Sequence, residues 1–210
     1  MFGGGSALDR GLDAFARRDW NRARRLLEQA MEHEERANGH YHLGQLYWRG
    51  LGGDKDVRAA VDCFARAAEM GHAAAQTAYG VALRAGVGVA ADEAAAFEQF
   101  RAAAGAGAAE ALTQLALMSE PEDARRLLTR AADMGHGHAM SRMADLLMER
   151  RPVEALAWLY AAVALRADEN ARQRASLLAQ ELTAEQIARA QKTGRAYVKD
   201  IRDKARARSR

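Results

Sequence analysis

Apolar residues along most of this chain recur at helical spacing, in short runs separated by glycine. One run places Leu43, Leu46 and Tyr47 on a single helical face, at i, i+3 and i+4. The next run repeats that spacing with a second set of residues: Val61, Phe64, Ala65 and Ala68. Alternating runs rich in Val, Ile and Thr, which are typical of strands, are almost absent. The pattern predicts an all-α protein built from short helices.

The same apolar pattern is written twice between residues 38 and 108, with a period of 36 residues. Under this shift the following residues coincide: Gly44 with Gly80, Gly50 with Gly86, Gly52 with Gly88, Phe64 with Phe100, and Gly71 with Gly107. A fixed period of this length predicts a repeat architecture. Because one helical hairpin cannot bury its own apolar face, stacked copies are expected to form an α/α solenoid.

Glycine pairs separate the two helices of each copy. Gly50 and Gly52 are predicted to end the first helix and shape the turn, since glycine enters the left-handed region without strain. The segments 50–55 and 86–89 could be taken for phosphate-binding loops, but neither has the required spacing or follows a predicted strand. We therefore interpret both as turns between helices.

Further hairpins flank this pair, which gives about five in total. Residues 6–34 form a shorter first hairpin, with Asp19 as the predicted N-cap of its second helix. Residues 109–135 form a shortened copy, in which Pro121 is predicted to begin a helix capped by Glu120 or Ser119. A fifth copy runs from 138 to about 165, with Trp158 at the aromatic position.

The C-terminal part departs from the repeat. Two closing helices are predicted from residue 168, the second with Thr183 and Gln186 as a capping box. From residue 192 onward, eight basic residues oppose two aspartates, so this segment carries +6 and leaves −3 for the rest of a chain whose total is +3. We divide the chain into an N-terminal capping hairpin (1–36), repeats (37–166), C-terminal capping helices (167–191) and a basic helical tail (192–210).

One copy carries a family resemblance. The segment L-G-Q-L-Y-W-R-G-L-G followed by D-C-F-A-R-A-A-E-M-G-H-A resembles the Sel1-like repeat, a relative of the tetratricopeptide repeat. The W-L-Y-A-A and L-T-x-x-Q-I-x-x-A-Q segments also resemble the tail of many bacterial Sel1-like repeat proteins. The resemblance implies a solenoid scaffold, adaptor or regulator for protein–protein interaction, with no catalytic residues to carry over.

Candidate chemistry is sparse. His40 and His42 lie two apart on a helix and point in different directions, so they cannot share a metal ion. Only His136 and His138 are open to that interpretation, and no carboxylate or cysteine converges on them in sequence. Cys63, beside a predicted core position, is interpreted as a small apolar filler. We therefore predict no enzyme, no cofactor and no metal site.

The expected compartment is the cytoplasm, because no signal peptide or membrane-spanning run is recognisable and one cysteine cannot form an internal disulfide. We expect a monomer or a weak homo-oligomer.

The inner face of the solenoid is the predicted binding site, because the first helix of each unit lines it in solenoids of this type. We call Gly44 and its counterpart Gly80 the pattern glycines; Ala116 and Ala144 take this position in the later copies. Counting from this position gives these candidates: Tyr41, Gln45, Trp48, Arg49, Thr77, Arg84, Thr113, Ser141 and Asp145. The residue types of Tyr41, Trp48 and Arg49 are enriched at binding hot spots. The alternative is that Trp48 packs against the first hairpin as core.

The basic tail is the second candidate. Its cations are Lys192, Arg195, Lys199, Arg202, Lys204 and Arg206. They could form a solvated helix end, dock on an acidic protein surface, or bind nucleic acid or anionic lipid. Tyr197 is the one interleaved aromatic residue, which disfavours stacking on single strands. The alternative function is therefore a polyanion- or membrane-associated factor acting through this tail.

Overall fold

The computed structural model describes residues 6–32, 36–166 and 168–208. Within these ranges the chain forms twelve α-helices and no strand, which confirms the predicted all-α repeat fold. It divides into two compact units, residues 1–108 and 109–210. The helices of the first unit are α1 (Ala7–Ala16), α2 (Trp20–Met31), α3 (Ala37–Arg49), α4 (Val57–Glu69), α5 (Ala73–Ala85) and α6 (Glu93–Gly105). The helices of the second unit are α7 (Ala109–Ala116), α8 (Pro121–Asp133), α9 (Gly137–Leu147), α10 (Pro152–Ala164), α11 (Ala171–Ala179) and α12 (Ala184–Arg208).

Three hairpins make up the first unit: α1 with α2, α3 with α4, and α5 with α6. The pattern glycines let the two helices of a hairpin meet. A Cβ on Gly44 would lie 2.7 Å from the Phe64 ring, and a Cβ on Gly80 would lie 2.7 Å from the Phe100 ring. Most of the predicted core positions are buried, Phe100 completely, whereas Tyr47 and Ala65 are half-buried. The shortened copy carries Ala116 in place of the glycine and Leu128 in place of the phenylalanine. Because leucine is smaller than phenylalanine, it leaves room for the Cβ of the alanine.

The glycine turns between helices have the predicted conformation. Gly50 and Gly86 end α3 and α5 with φ of 65° and 64°, and Gly52 and Gly88 both have φ of 75°. A Cβ on Gly52 would come within 2.3 Å of the Trp20 carbonyl oxygen, so this turn packs tightly against the preceding hairpin. The interpretation of both segments as interhelix turns is confirmed.

Side-chain caps start several helices. The Asp19, Asp56 and Asp92 carboxylates accept hydrogen bonds from backbone N–H groups of α2, α4 and α6. Of these, only Asp19 was predicted. The reciprocal capping box of Thr183 and Gln186 is present as predicted.

Pro121 begins α8 as predicted, but neither proposed side-chain cap forms. The Glu120 side chain makes no capping bond, and the Ser119 hydroxyl donates instead to the Leu115 carbonyl at 2.7 Å. The prediction of a side-chain cap at this helix was wrong. The reason is that a hydroxyl at the end of α7 can reach back to the carbonyl four residues earlier.

The second unit is centred on α10, whose residues 155–159 are buried. Helix α10 packs against α9, α11 and α12. Close contact with α12 depends on Gly194, where a Cβ would lie 2.8 Å from the Ala157 carbonyl oxygen. The Trp158 and Tyr197 rings stack at 4.2 Å between centroids. Helix α12 continues unbroken through residue 192, so the start of the basic segment lies inside a helix that is docked on the unit.

Candidate functional site

Four predicted groove residues come together on α3, and we call them the aromatic face: Tyr41, Gln45, Trp48 and Arg49. The Gln45 side-chain amide donates to the Tyr41 hydroxyl at 3.0 Å. Trp48 lies 6.4 Å from the Phe64 ring of its own hairpin, and the Lys55 ammonium lies 5.8 Å from the Trp48 ring centre. Tyr41, Gln45 and Trp48 are half-buried and Arg49 is exposed. The face is held in place by its own contacts while part of each ring remains accessible.

Further aromatic rings adjoin this face. His72, before α5, stacks on Tyr41 at 4.4 Å between centroids. His42 lies 4.5 Å from Phe15, and Phe15 packs edge-on against Trp20. Sequence analysis missed His42 and Phe15, because their contact joins residues of different hairpins that no local pattern connects. Their half-burial extends the aromatic surface toward the first hairpin.

Burial sets the protonation of this surface. It lowers the pKa of both His42 and His72 and raises the pKa of the Tyr41 hydroxyl, an effect that the nearby Arg49 cation partly opposes. All three rings are therefore neutral near pH 7. The surface presents uncharged aromatic groups with the Arg49 guanidinium beside them.

On α5, the two predicted groove residues differ in their exposure to solvent. Arg84 is half-buried, with its guanidinium 5.9 Å from the Phe100 ring centre, and stays partly accessible. Thr77 is buried and its hydroxyl donates to the Ala73 carbonyl at 2.9 Å.

The position three residues before the pattern glycine has a structural role. Tyr41 stacks on His72, the Thr113 hydroxyl hydrogen-bonds His136 at 3.1 Å, and Ser141 hydrogen-bonds Asp168. In each case the partner is a residue just after the second helix of the same repeat. Thr77, Thr113 and Ser141 are only 6 %, 3 % and 4 % exposed. Side chains buried to this degree offer a partner little surface, so we leave these three out of the candidate site.

Asp145 is exposed on α9, where its carboxylate pairs with Arg174 of α11 and with Arg142 at 3.6 Å. The pair with Arg174 links α9 to α11, whereas the pair with Arg142 lies within α9. Both pairs occupy the charge that a partner would use.

The predicted basic residues all lie on α12. The Lys204 ammonium pairs with Asp133 of α8 at 2.9 Å and with Asp200 at 2.7 Å. Lys192, Arg195, Lys199, Arg202 and Arg206 are exposed. One cation therefore anchors the helix, and the others face solvent.

A hydrogen bond between Glu110 and His136 joins the start of α7 to the start of α9. The His136 Nε2 lies 2.8 Å from the Glu110 carboxylate. Hydrogen bonds from His136 and then Gln114 lower the pKa of Glu110 to about 2, although burial opposes the shift. Its 43 % exposed side chain limits the stabilisation to about 1 kcal/mol or less.

We expect Glu110→Gln to lower the free energy of unfolding at pH 7 by that small amount. Because the folded-state pKa is depressed, this contribution is present above pH 4.5 and is lost as the pH falls toward 2. Urea unfolding of both proteins between pH 7 and 3 measures the difference. A difference that does not shrink with falling pH would show that the carboxylate charge contributes nothing.

The remaining candidate groups form no site. Burial raises the pKa of the Cys63 thiol to about 11, which keeps it protonated, and the side chain packs against the core of the first unit as predicted. Across the described ranges, no group of three or more His, Cys, Asp or Glu side chains could hold a metal ion. No helix in the described part of the chain is long and apolar enough to cross a membrane.

Comparison with known proteins identifies the repeats. The Sel1 repeat model matches residues 37–72, 73–107 and 109–136, which correspond to α3/α4, α5/α6 and α7/α8. The first hairpin and α9/α10 lie outside these matches. Among curated proteins, none matches the sequence significantly.

Solved structures share the fold. A Sel1 repeat protein from Oxalobacter formigenes is 19 % identical, with a TM-score of 0.72 over 92 % of this chain and 83 % of that one. A protective antigen of uropathogenic Escherichia coli with an SLR fold is 20 % identical, with a TM-score of 0.57 over 96 % of this chain and 54 % of that one. An immunity protein from Pseudomonas aeruginosa is 19 % identical, with a TM-score of 0.57 over 96 % of this chain and 83 % of that one.

At these identities the structural likeness shows the fold, and the family-model matches show the repeats. Sel1-like repeat proteins generally mediate protein–protein interaction, and their fold is typically a non-enzymatic binding scaffold. The chain therefore contains three Sel1 repeats, and its fold is that of Sel1 repeat proteins.

Proposed function

We propose that this protein is an adaptor or regulator that binds a partner protein on the aromatic face of α3. The observation that carries the proposal is the half-buried set of Tyr41, Gln45 and Trp48 beside the exposed Arg49. Tyr, Trp and Arg are the residue types most enriched at binding hot spots. Arg84 of α5 is a further accessible residue at a matching repeat position.

Pre-organisation supports this choice of surface. The hydrogen bond between Gln45 and Tyr41 and the stacking of His72 on Tyr41 fix these side chains before any partner arrives. A partner therefore has few rotamers to immobilise, which lowers the entropic cost of binding. The same contacts leave ring edges and the Arg49 guanidinium for recognition.

Binding without chemistry is part of the proposal. The Cys63 thiol is protonated and packed against core, and His136 is engaged by Glu110 and Thr113. We therefore propose that the protein is not an enzyme, and that it acts in the bacterial cytoplasm as a monomer or a weak homo-oligomer.

An affinity pull-down from native lysate tests the proposal with three baits. They are the intact protein, Trp48→Ala with Arg49→Ala, and a control carrying Phe97→Ala with Arg101→Ala. The control removes an aromatic ring and an arginine from the exposed side of α6, so the composition changes equally. We expect one protein to be captured by the intact and control baits and lost from the α3 variant. Equal capture by all three baits would place binding elsewhere.

A further inference from the structure

A groove of about 560 Å³ lies between α10 and α12 in the second unit. Its floor includes Tyr160 and Ala164 of α10 and Val198 of α12. Its rim is basic. Four cations of α12 line it, and we call them the cation row: Arg195, Lys199, Arg202 and Arg206. Asp203 is a carboxylate at the same rim.

The cation row is regular. Its members follow the spacing i, i+4, i+7 and i+11, so they lie within about 60° of one another around the helix and span about 16 Å along it. All four are exposed, and none forms an ion pair with a described residue. Lys204, on the opposite side of α12, pairs with Asp133 and Asp200. Like charges at these spacings destabilise a helix, so the row has a cost that internal pairing does not relieve.

We propose that this groove binds an acidic amphipathic helix of a partner protein. A partner helix with carboxylates at the same i, i+4, i+7 and i+11 spacing would oppose each cation of the row. Its apolar residues would cover the floor of Tyr160, Ala164 and Val198. The docked position of α12, fixed by Gly194 and by the Trp158–Tyr197 stack, keeps the row rigid.

A nucleic acid fits this groove less well. Single-strand binding uses successive aromatic side chains as stacking platforms. Tyr160 is the aromatic residue in the groove lining, and the faces of Trp158 and Tyr197 that meet are already stacked on each other. The apolar floor has no role toward a phosphate backbone.

The test uses fluorescence anisotropy with a labelled synthetic peptide of about 18 residues, long enough to form a helix when docked. The peptide carries glutamates at i, i+4, i+7 and i+11, leucines beside them and alanine elsewhere. A scrambled peptide of the same composition and a poly(U) oligonucleotide of similar length are compared with it. The protein variants are Arg195→Glu with Arg202→Glu and, as the matched control, Arg189→Glu with Arg208→Glu. Both pairs change the net charge equally on the same helix, but only the first touches the cation row.

At about 0.1 M salt, where screening is moderate, we expect the row reversal to weaken peptide binding about tenfold or more and the control to change it less than about threefold. Reversal replaces like-charge neighbours by opposite ones, so the variant should melt at or above the wild-type temperature. Ala164→Glu, which adds a carboxylate to the floor while keeping the row, should weaken binding as well. Equal binding of the scrambled peptide, equal weakening by both reversal pairs, or tighter binding of poly(U) through the row would overturn the proposal.

Discussion

Phe100→Ala is expected to lower the free energy of unfolding by about 3–5 kcal/mol, the largest stability effect we anticipate in this protein. The Phe100 side chain is completely buried and fills the space opposite Gly80. Its removal leaves a cavity between α5 and α6, because Gly80 has no side chain that could fill the space. Urea unfolding followed by far-UV circular dichroism measures the change.

Phe97 provides the matched control, because it lies on the same helix and is 37 % exposed. Phe97→Ala should cost about 1 kcal/mol or less, as expected for a side chain that keeps much of its contact with water. Phe100→Leu should fall between the two. Similar losses from Phe97→Ala and Phe100→Ala would contradict the assignment of Phe100 to the hairpin core.

Trp48→Ala is expected to weaken the binding free energy of the partner by about 2 kcal/mol or more, which is about thirtyfold in Kd. Titration calorimetry with the captured partner measures this change. Because Trp48 is half-buried and near Phe64, the variant also loses some stability, so the measurement needs a folded sample confirmed by its melting curve.

Arg49→Ala separates binding from folding, since the Arg49 side chain is exposed. We expect Arg49→Ala to weaken binding of the partner while leaving the melting temperature of the protein unchanged. If Trp48→Ala lowers stability and neither variant changes the Kd, Trp48 is a core residue and the aromatic face is not the binding site.

The repeat was predictable because its determinants are local. The glycine turns and the apolar positions occur in both copies between residues 38 and 108 with a period of 36 residues, so the sequence shows them twice. Aspartate caps such as Asp56 and Asp92 were equally local and could have been found from their position before each second helix.

The candidate site was less predictable, because helical register gives the face of a residue but not what covers it. Thr113 shares its register with Tyr41, yet its short side chain is buried and hydrogen-bonded to His136. The docking of α12 likewise depends on contacts between distant residues, such as Tyr197 with Trp158. A signal for that docking was present, since Ala190, Gly194, Val198 and Ile201 form a small and apolar stripe at helical spacing.

Docking of α12 also changes how the basic segment is tested. Ending the chain at residue 191 would remove Gly194, Val198 and Ile201 and uncover part of α10. Loss of binding by such a truncation would therefore not distinguish the charges from the fold. Charge reversal within the cation row keeps the packing and isolates the charges.

Site-specific photo-crosslinking tests the central claim most directly, that a partner protein occupies the aromatic face. A benzophenone amino acid is introduced in place of Lys55, whose ammonium lies 5.8 Å from the Trp48 ring centre, in one variant and in place of Glu98, on the exposed side of α6, in another. After irradiation in native lysate, we expect a single crosslinked protein with the probe at position 55, the same protein that the intact bait captures, and none at position 98. A crosslink at position 98 with none at position 55 would contradict the account.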